Sequence, residues 1–279
     1  MEVNTLNVIG AGTMGSGIAQ VAAQAGIRVH VTDVDEAALE GGRARLDASL
    51  QGGIERGKID EAGADDVRRL IEWRVDDATE PGWVIEAVPE DIEIKATVLR
   101  RVSEATACPI ATNTSTIQIS KLAKFCKRPE RLVGIHFFNP VPAMKPVEVI
   151  RGEQTEETVA DAAVRLCERL GKTPIIAPDI PGFIVNRAFA ALVAAAIDTW
   201  DAGASAEAVD GAMEMGLAHK MGPLKSADLV GLDVMLAVMQ SIYTETADAR
   251  FAPPEVLARM VDEGKLGRKS GEGFYEYGK

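Results

Sequence analysis

The stretch that decides the fold is Leu6-Asn7-Val8-Ile9-Gly10-Ala11-Gly12-Thr13-Met14-Gly15-Ser16-Gly17, close to the start of the chain. An apolar run rich in β-branched residues ends directly in a glycine-rich loop, and a pattern with helical spacing, Met14–Gln24, follows at once. Gly10 permits a tight turn, Gly12 lets a ligand approach the backbone, and Gly15 lets the helix pack closely on the strand. This order of strand, glycine loop and helix predicts the first unit of a doubly wound α/β fold.

An acidic residue follows the second predicted strand. Asp33 lies 23 residues after Gly10, where a carboxylate accepts hydrogen bonds from both ribose hydroxyls of an adenosine and repels a 2′-phosphate. The free N–H groups at the start of a helix attract phosphates. A glycine-rich turn beside a surface aspartate is the alternative interpretation. We therefore predict NAD as the cofactor and not NADP, bound by residues of the loop and by the acidic residue: Gly10, Gly12, Thr13, Met14, Gly15 and Asp33.

Composition limits the classes of partner. Of the 279 residues, 47% are hydrophobic, and 30 Lys and Arg stand against 42 Asp and Glu, which gives a net charge of −12. A chain this acidic repels phosphate backbones, so we expect neither nucleic acid nor an anionic membrane as a partner. The start of the chain has no basic segment of a signal peptide, and the apolar stretch Phe183–Ile197 contains Asn186 and Arg187. The three cysteines are widely spaced without a CxxC pair, so we expect a cytoplasmic protein with reduced thiols and no metal site.

Periodicity divides the chain into two parts. Short β-branched runs alternate with helical patterns up to about residue 180, which predicts a mostly parallel sheet covered on both faces. Strands are predicted at Leu6–Ile9, Val29–Thr32, Trp83–Ala87, Ile110–Asn113, Leu132–Phe137, Val147–Ile150 and Pro174–Ile176. Helices are predicted at Met14–Gln24, Asp35–Gln51, Glu93–Ala105 and Glu156–Leu170. We expect an α/β domain over residues 1–182 with a helical hairpin standing off the sheet near 35–70, and an all-helical domain over 183–279.

A histidine and a glutamate stand at a suggestive spacing. His136 ends one predicted strand, and Glu148 follows twelve residues later in the next strand-like run, after a proline-rich turn. A return of that length brings the carboxylate beside the imidazole. A glutamate that accepts the Nδ1 proton fixes the tautomer and leaves Nε2 facing a substrate. From periodicity alone, a histidine at a strand end is more often a satisfied core residue, so both interpretations stay open at this point.

Further motifs follow in order along the chain. They are Glu86-Ala87-Val88-Pro89-Glu90, Asn113-Thr114-Ser115, His136-Phe137-Phe138-Asn139-Pro140, Pro181-Gly182-Phe183-Ile184-Val185-Asn186-Arg187, Met221-Gly222-Pro223-Leu224, Asp228-Leu229-Val230-Gly231-Leu232-Asp233 and Gly271-Glu272-Gly273-Phe274-Tyr275. Together with the opening loop, this set resembles the short-chain L-3-hydroxyacyl-CoA dehydrogenases, including the bacterial 3-hydroxybutyryl-CoA dehydrogenases, over nearly the whole chain. The resemblance implies a Rossmann-type domain, an NAD-dependent dehydrogenase of short 3-hydroxyacyl-CoA thioesters in fatty acid metabolism, and a homodimer formed through the helical domain.

The resemblance also assigns residues to the reaction. It implies that His136 is the general base, that Glu148 orients it, that Ser115 hydrogen-bonds the substrate oxygen, and that Asn186 contacts the reacting part of the substrate. For the cofactor it adds Glu90, Lys95, Ser115 and Lys269. For the acyl carrier it implies Ser49, Arg56 and Lys58 of the hairpin, with Asn139 and Lys145 lining the same cleft. Without the resemblance, Lys95 at a helix start would be interpreted as a solvated surface residue.

Departures from the family pattern concern the substrate. Arg56 stands where the family has lysine, and Lys220 and Lys225 stand where it is usually uncharged or acidic. Two extra cations near an acyl pocket favour a polar or anionic acyl group, unless both lysines are simply exposed. A thioester on an acyl carrier protein is an alternative substrate, since it needs only the shared pantetheine arm. A non-catalytic NAD-binding protein is a further alternative. Another is a β-hydroxyacid dehydrogenase acting on free carboxylates, which uses a lysine where this chain has Gly182.

Overall fold

One sheet of eight strands organises the first part of the chain, in the order β3-β2-β1-β4-β5-β6-β7-β8. The structure is a computed structural model that describes residues 3–75 and 81–278. It divides the chain into two compact units, Met1–Asp179 and Ile180–Lys279. The strands are β1 Thr5–Ile9, β2 Arg28–Thr32, β3 Ile71–Arg74, β4 Trp83–Glu86, β5 Ile110–Thr112, β6 Leu132–Phe137, β7 Pro146–Ile150 and β8 Thr173–Ala177.

The strand pairing confirms the expected sheet type. All neighbouring strands run parallel except β6 and β7, which are antiparallel. The seven predicted strands are present, and β3 is an additional edge strand that the sequence pattern did not indicate. The strand order reverses between β1 and β4, so the loops after these two strands border the crevice in which doubly wound folds bind their ligands.

Helices cover the sheet between the strands. In the first unit they are α1 Thr13–Gln24, α2 Glu36–Glu55, α3 Glu61–Leu70, α4 Ile92–Ala105, α5 Ile119–Leu122 and α6 Glu157–Arg169. The predicted hairpin is formed by α2 and α3, but the expectation that it stands off the sheet is wrong. Leu39, Leu46 and Leu50 of α2 and Val67 of α3 are buried in the same hydrophobic core as α1 and the central strands.

Two glycines of the opening loop are required by sterics. Gly10 has a φ of +104°, and a Cβ there would lie 2.6 Å from the carbonyl oxygen of Ala87 in the loop after β4. A Cβ at Gly15 would overlap the carbonyl oxygen of Gly10. The close approach at Gly15 holds α1 against the end of β1, as the sequence pattern predicted, and the one at Gly10 lets the opening loop pass close to the loop after β4.

The second unit is helical in the part that the structure describes. Its helices are α7 Val185–Asp201, α8 Ala206–Leu217, α9 Pro223–Val230, α10 Leu232–Thr246 and α11 Glu255–Asp262. Within residues 180–278, β pairing is limited to isolated bridges of Glu272 with Gly267 and Glu276. No single described helix has the length and apolarity to cross a membrane; only α9 and α10 taken together reach them, across a bend of 100°.

A buried carboxylate, that of Asp228, explains the closing motif Gly271-Glu272-Gly273-Phe274-Tyr275. Asp228, 1% exposed, accepts hydrogen bonds from the backbone N–H groups of Phe274 and Tyr275, each at 3.0 Å. A Cβ at Gly273 would overlap its carboxylate. Burial raises the pKa of Asp228 although these hydrogen bonds oppose the rise. The closing glycine motif is therefore a structural clamp within the second unit.

Candidate active site

The antiparallel register of β6 and β7 places His136 directly opposite Glu148. His136 Nδ1 lies 2.7 Å from Glu148 Oε2, and the two residues are 6% and 0% exposed. Opposite residues of an antiparallel pair direct their side chains to the same face of the sheet. The short turn after β6 therefore produces the contact that the spacing of the two residues predicted.

This contact determines which nitrogen does chemistry. A carboxylate accepts hydrogen bonds only, so the Nδ1–H of His136 donates to Glu148, and Nε2 is the ring nitrogen that carries no proton. Phe138 packs beside the imidazole, with ring centroids 4.6 Å apart. A fixed, nearly buried imidazole with one basic nitrogen is suited to remove and return a proton at a single position.

A buried lysine holds the turn that follows His136. Lys172, 8% exposed, donates through Nζ to the backbone oxygens of Val141 and Met144, the latter at 2.8 Å. Burial, with a smaller contribution from Lys145, lowers the pKa of Lys172. Sequence reasoning missed this residue because a lysine just after a helix is usually solvated.

Glu90 gathers the loop that carries Ser115. Its Oε1 accepts from the N–H groups of Ser115 at 2.9 Å and Thr116 at 2.8 Å, and from the hydroxyls of Thr114 at 2.7 Å and Ser115 at 3.2 Å. Burial acts to raise the pKa of Glu90, but Lys95 and these hydrogen bonds outweigh it and lower that pKa below its usual value. The structure thus brings together Ser115 and Glu90, two of the residues that the resemblance assigned to the site.

Lys95 lies in the core, so its interpretation as a solvated residue at a helix start is wrong. It is 1% exposed, and its Nζ lies 2.9 Å from Glu86 Oε1, 3.2 Å from Val88 O and 3.5 Å from Glu90 Oε2. Glu86, fully buried, also accepts from the hydroxyl of Thr112 at 2.6 Å. Lys95 therefore joins two carboxylates beneath the Ser115 loop. The sequence signal for Glu86 was its place in the otherwise apolar strand Trp83–Glu86, because a carboxylate in a buried strand needs a partner.

The opening loop fits an NAD pyrophosphate and ribose. Gly12 is the N-cap of α1 without a side-chain cap, the first turn carries no acidic residue, and a Cβ at Gly12 would meet nothing within 4 Å. Asp33 is half-buried at the end of β2 and accepts from the backbone N–H of Ala11 at 2.6 Å. Uncapped N–H groups beside open space suit phosphate oxygens, and the fixed carboxylate retains lone pairs for ribose hydroxyls.

Of the four residues predicted to hold the acyl carrier, two line a cavity and two are exposed outside it. Ser49 and Asn139 line one cavity of about 180 Å³ in the first unit, together with Thr13 of the opening loop. Arg56 is the C-cap of α2, and both Arg56 and Lys58 are exposed outside this cavity. Helix α2 therefore offers a polar serine on the cavity wall, and two solvated cations lie beyond the cavity, at the end of the helix and just after it.

The remaining predicted residues belong to the second unit. Asn186 lies in the first turn of α7 and is half-buried. Lys269 donates to both carboxylate oxygens of Asp233, at 2.6 and 2.7 Å. Lys220 and Lys225 are exposed, as the alternative interpretation of these departures expected. Lys225 lies over the ring of Tyr275, with Nζ 5.9 Å from the ring centroid.

Known families match both units. The family model of the 3-hydroxyacyl-CoA dehydrogenase NAD binding domain matches residues 5–180, and that of the 3-hydroxyacyl-CoA dehydrogenase C-terminal domain matches residues 182–277. The chain belongs to the 3-hydroxyacyl-CoA dehydrogenase family. The resemblance seen in the motifs, the fold class and NAD as the cofactor are thereby confirmed.

Similar proteins cover the chain from end to end. A probable 3-hydroxybutyryl-CoA dehydrogenase of Bacillus subtilis (strain 168) is 40% identical over 99% of this chain and 98% of its own. A 3-hydroxybutyryl-CoA dehydrogenase of Mycobacterium tuberculosis (strain ATCC 25618 / H37Rv) is 39% identical over 99% of both chains. The crystal structure of (S)-3-hydroxybutyryl-CoA dehydrogenase from Ralstonia eutropha, 41% identical, superposes with a TM-score of 0.93 over 100% of both chains.

Proposed function

We propose that this chain interconverts (S)-3-hydroxyacyl-CoA and 3-oxoacyl-CoA thioesters with NAD, acting on a short acyl chain such as 3-hydroxybutyryl-CoA. The observation that carries the proposal is the buried contact of 2.7 Å between His136 and Glu148 within the family's fold. The similar proteins named 3-hydroxybutyryl-CoA dehydrogenase support the short acyl chain. A protein that only binds NAD has no physical need for an oriented, buried imidazole.

The residues of the chain perform the proton transfer. In the oxidation direction, His136 Nε2 takes the proton of the 3-hydroxyl group, and Glu148 stabilises the positive charge that forms on the imidazole. Bound NAD supplies the acceptor for the hydride that leaves C3. Ser115 hydrogen-bonds the substrate oxygen, so that charge develops against a fixed dipole. Asn186 of the second unit stays a predicted contact of the reacting part of the substrate. In the reduction direction, His136 returns the proton as the hydride arrives, and the alcohol forms.

Other residues of the first unit hold the cofactor and the carrier. Gly10, Gly12, Thr13, Met14, Gly15 and Asp33 bind the pyrophosphate and the adenosine ribose, with Glu90 and Lys95 as further cofactor residues. Lys269 of the second unit stays a predicted cofactor residue. Ser49 and Asn139 contact the arm of the substrate. Arg56 and Lys58 attract the phosphates of CoA. These two cations lie at the end of α2 and just after it.

Assembly and setting complete the proposal. The helical unit exposes Met215 and Leu217 at the end of α8, which supports a homodimer formed through this unit. We place the reaction in fatty acid metabolism in the cytoplasm. A thioester on an acyl carrier protein is the alternative substrate, because it shares the pantetheine arm but lacks the nucleotide of CoA.

A substrate panel tests the proposal. NADH oxidation is followed with acetoacetyl-CoA, with the acetoacetyl thioester of an acyl carrier protein, and with free acetoacetate. We expect rapid turnover of acetoacetyl-CoA and none of free acetoacetate. A higher kcat/KM with the carrier-protein thioester would establish the alternative substrate, and no turnover of either thioester would refute the proposed function.

A further inference from the structure

The first unit contains a small cavity beside the opening loop. Its walls are one face of α1, one face of α2 and the turn that follows β6, and its volume is about 180 Å³. Pockets that hold a whole ligand usually measure roughly 300–1,000 Å³. The cavity therefore fits a linear segment of a ligand and is too small for a nucleotide.

A glutamine on the wall of this cavity has an unused acceptor. Gln20, 4% exposed, lies two turns into α1, and its buried Oε1 receives no hydrogen bond from any residue within 3–75 or 81–278. A buried acceptor without a partner costs about 1–3 kcal/mol, so a donor from a ligand is expected there. Ser16 and Arg45, which line the same cavity, both donate at 2.9 Å to the carbonyl oxygen of Ala11.

The position of the cavity indicates which part of a substrate it meets. Asn139 lines it three residues after His136, and Ser49 lines it from α2. Arg56 follows Ser49 by seven residues, about 10 Å farther along the helix. A thioester with its carbonyl at His136 and its phosphates at Arg56 would pass its pantetheine arm between these two points.

The chemistry of that arm matches the wall. Pantetheine is a largely aliphatic chain with two amides and one hydroxyl group, and Leu46 and Val141 provide apolar surface beside Gln20. An amide N–H is the neutral donor that a glutamine oxygen accepts. The terminal torsion of glutamine is soft, so Oε1 turns toward the arm at little cost.

Resting on the proposed function, we propose that Gln20 is a specificity-determining residue that accepts a hydrogen bond from an amide N–H of the pantetheine arm. The contact selects thioesters on a pantetheine carrier over small thioesters that lack the amide. It is shared by CoA and carrier-protein substrates, whereas Arg56 and Lys58 read only the nucleotide of CoA.

The first test compares two substrates in matched variants. Gln20→Met removes the acceptor and keeps an unbranched side chain, and Gln24→Met makes the same change at an exposed position of α1. The kcat/KM ratio between acetoacetyl-CoA and its S-ethyl thioester analogue, which lacks both amides, is measured for each. We expect Gln20→Met to lower this ratio about tenfold, and Gln24→Met to leave it unchanged. An unchanged ratio in Gln20→Met, with kcat/KM for both substrates reduced alike or not at all, would overturn the proposal.

A second measurement needs neither turnover nor a variant. Calorimetry compares the wild-type chain with pantetheine and with pantetheine N-methylated at each amide in turn, which removes one donor at a time. We expect one of the two methylated ligands to bind about tenfold more weakly. Equal affinity of all three ligands would overturn the role of Gln20. Because binding is read directly, this result stands apart from a failure of the proposed dehydrogenase activity, which would show only as absent turnover.

Discussion

The His136–Glu148 pair and the outer part of α2 use electrostatics in opposite ways. The pair is 6% and 0% exposed and held by strand register, whereas Arg56 and Lys58 stand in solvent at the end of a helix. A hydrogen bond to a carboxylate in a low-dielectric interior is strong and geometrically fixed, and each exposed cation contributes little. The comparison teaches that the chemistry of this chain depends on single buried contacts, while carrier binding is spread over several weak ones.

The largest loss of activity is expected at the base itself. His136→Gln removes the nitrogen that takes the proton, and we expect kcat for acetoacetyl-CoA reduction to fall by about 10³–10⁴-fold. NADH affinity, measured by fluorescence titration, should stay within about twofold. His219→Gln makes the same substitution in the second unit and should keep full activity. A His136→Gln variant with more than a tenth of wild-type kcat would refute the assignment of the base.

The largest loss in the free energy of unfolding is expected when the buried Lys95 is replaced. Lys95→Met leaves Glu86 charged without its partner in the core, and we expect the free energy of unfolding in urea to fall by roughly 3–5 kcal/mol. Lys124→Met removes an exposed lysine and should change it by less than about 0.5 kcal/mol. Equal stability of the two variants would show that the Glu86–Lys95 pair does not support the fold.

Glu148 should matter less than His136. Glu148→Gln keeps a side chain of the same size but no longer holds the Nδ1 proton by charge, and we expect kcat to fall roughly a hundredfold. Glu153→Gln, the same change just after β7 at an exposed position, serves as the control. A loss as large as that of His136→Gln would assign Glu148 a direct part in proton transfer. Full activity of the Glu148→Gln variant would show that Glu148 does not orient His136.

The smallest effect is expected on α2. Arg56→Ala should raise KM for acetoacetyl-CoA about two- to fivefold with kcat unchanged, because one exposed charge is worth up to roughly 1 kcal/mol. Added salt should diminish the difference between variant and wild type. Arg69→Ala removes an exposed cation from α3 and should leave KM unchanged. A large fall in kcat for Arg56→Ala would contradict the division between buried chemistry and exposed binding.

Local pattern was sufficient for the frame of the fold. The β-branched runs, the glycine loop and the spacing of twelve positions from His136 to Glu148 predict a sheet, a helix start and a return, all of which depend on neighbours in sequence. The strand β3 was not predicted because Ile71–Arg74 is short, contains two charged residues and follows α3 without a break.

Contacts that depend on distant partners could not be predicted in this way. Lys95 is buried because Glu86 lies beneath it, and Glu86 is in turn satisfied by Thr112, 26 residues away on the neighbouring strand. From the sequence alone, Gln20 is one more polar residue of an amphipathic helix. Only the structure shows that the turn after β6 encloses a cavity beside it. The resemblance assigned a role to Lys95 at the cofactor, but its depth in the core follows only from the three-dimensional packing.

The central claim is tested most directly by NAD reduction with the two enantiomers of 3-hydroxybutyryl-CoA and with free (S)-3-hydroxybutyrate. A single base on one face of the substrate and a carrier held by its arm predict rapid oxidation of one enantiomer of the thioester, with one acetoacetyl-CoA formed for each NADH. The similarity to an (S)-3-hydroxybutyryl-CoA dehydrogenase makes the (S)-thioester the expected one. The (R)-thioester and the free acid should react at less than about a hundredth of that rate. Oxidation of the free acid as fast as that of the (S)-thioester would contradict this account.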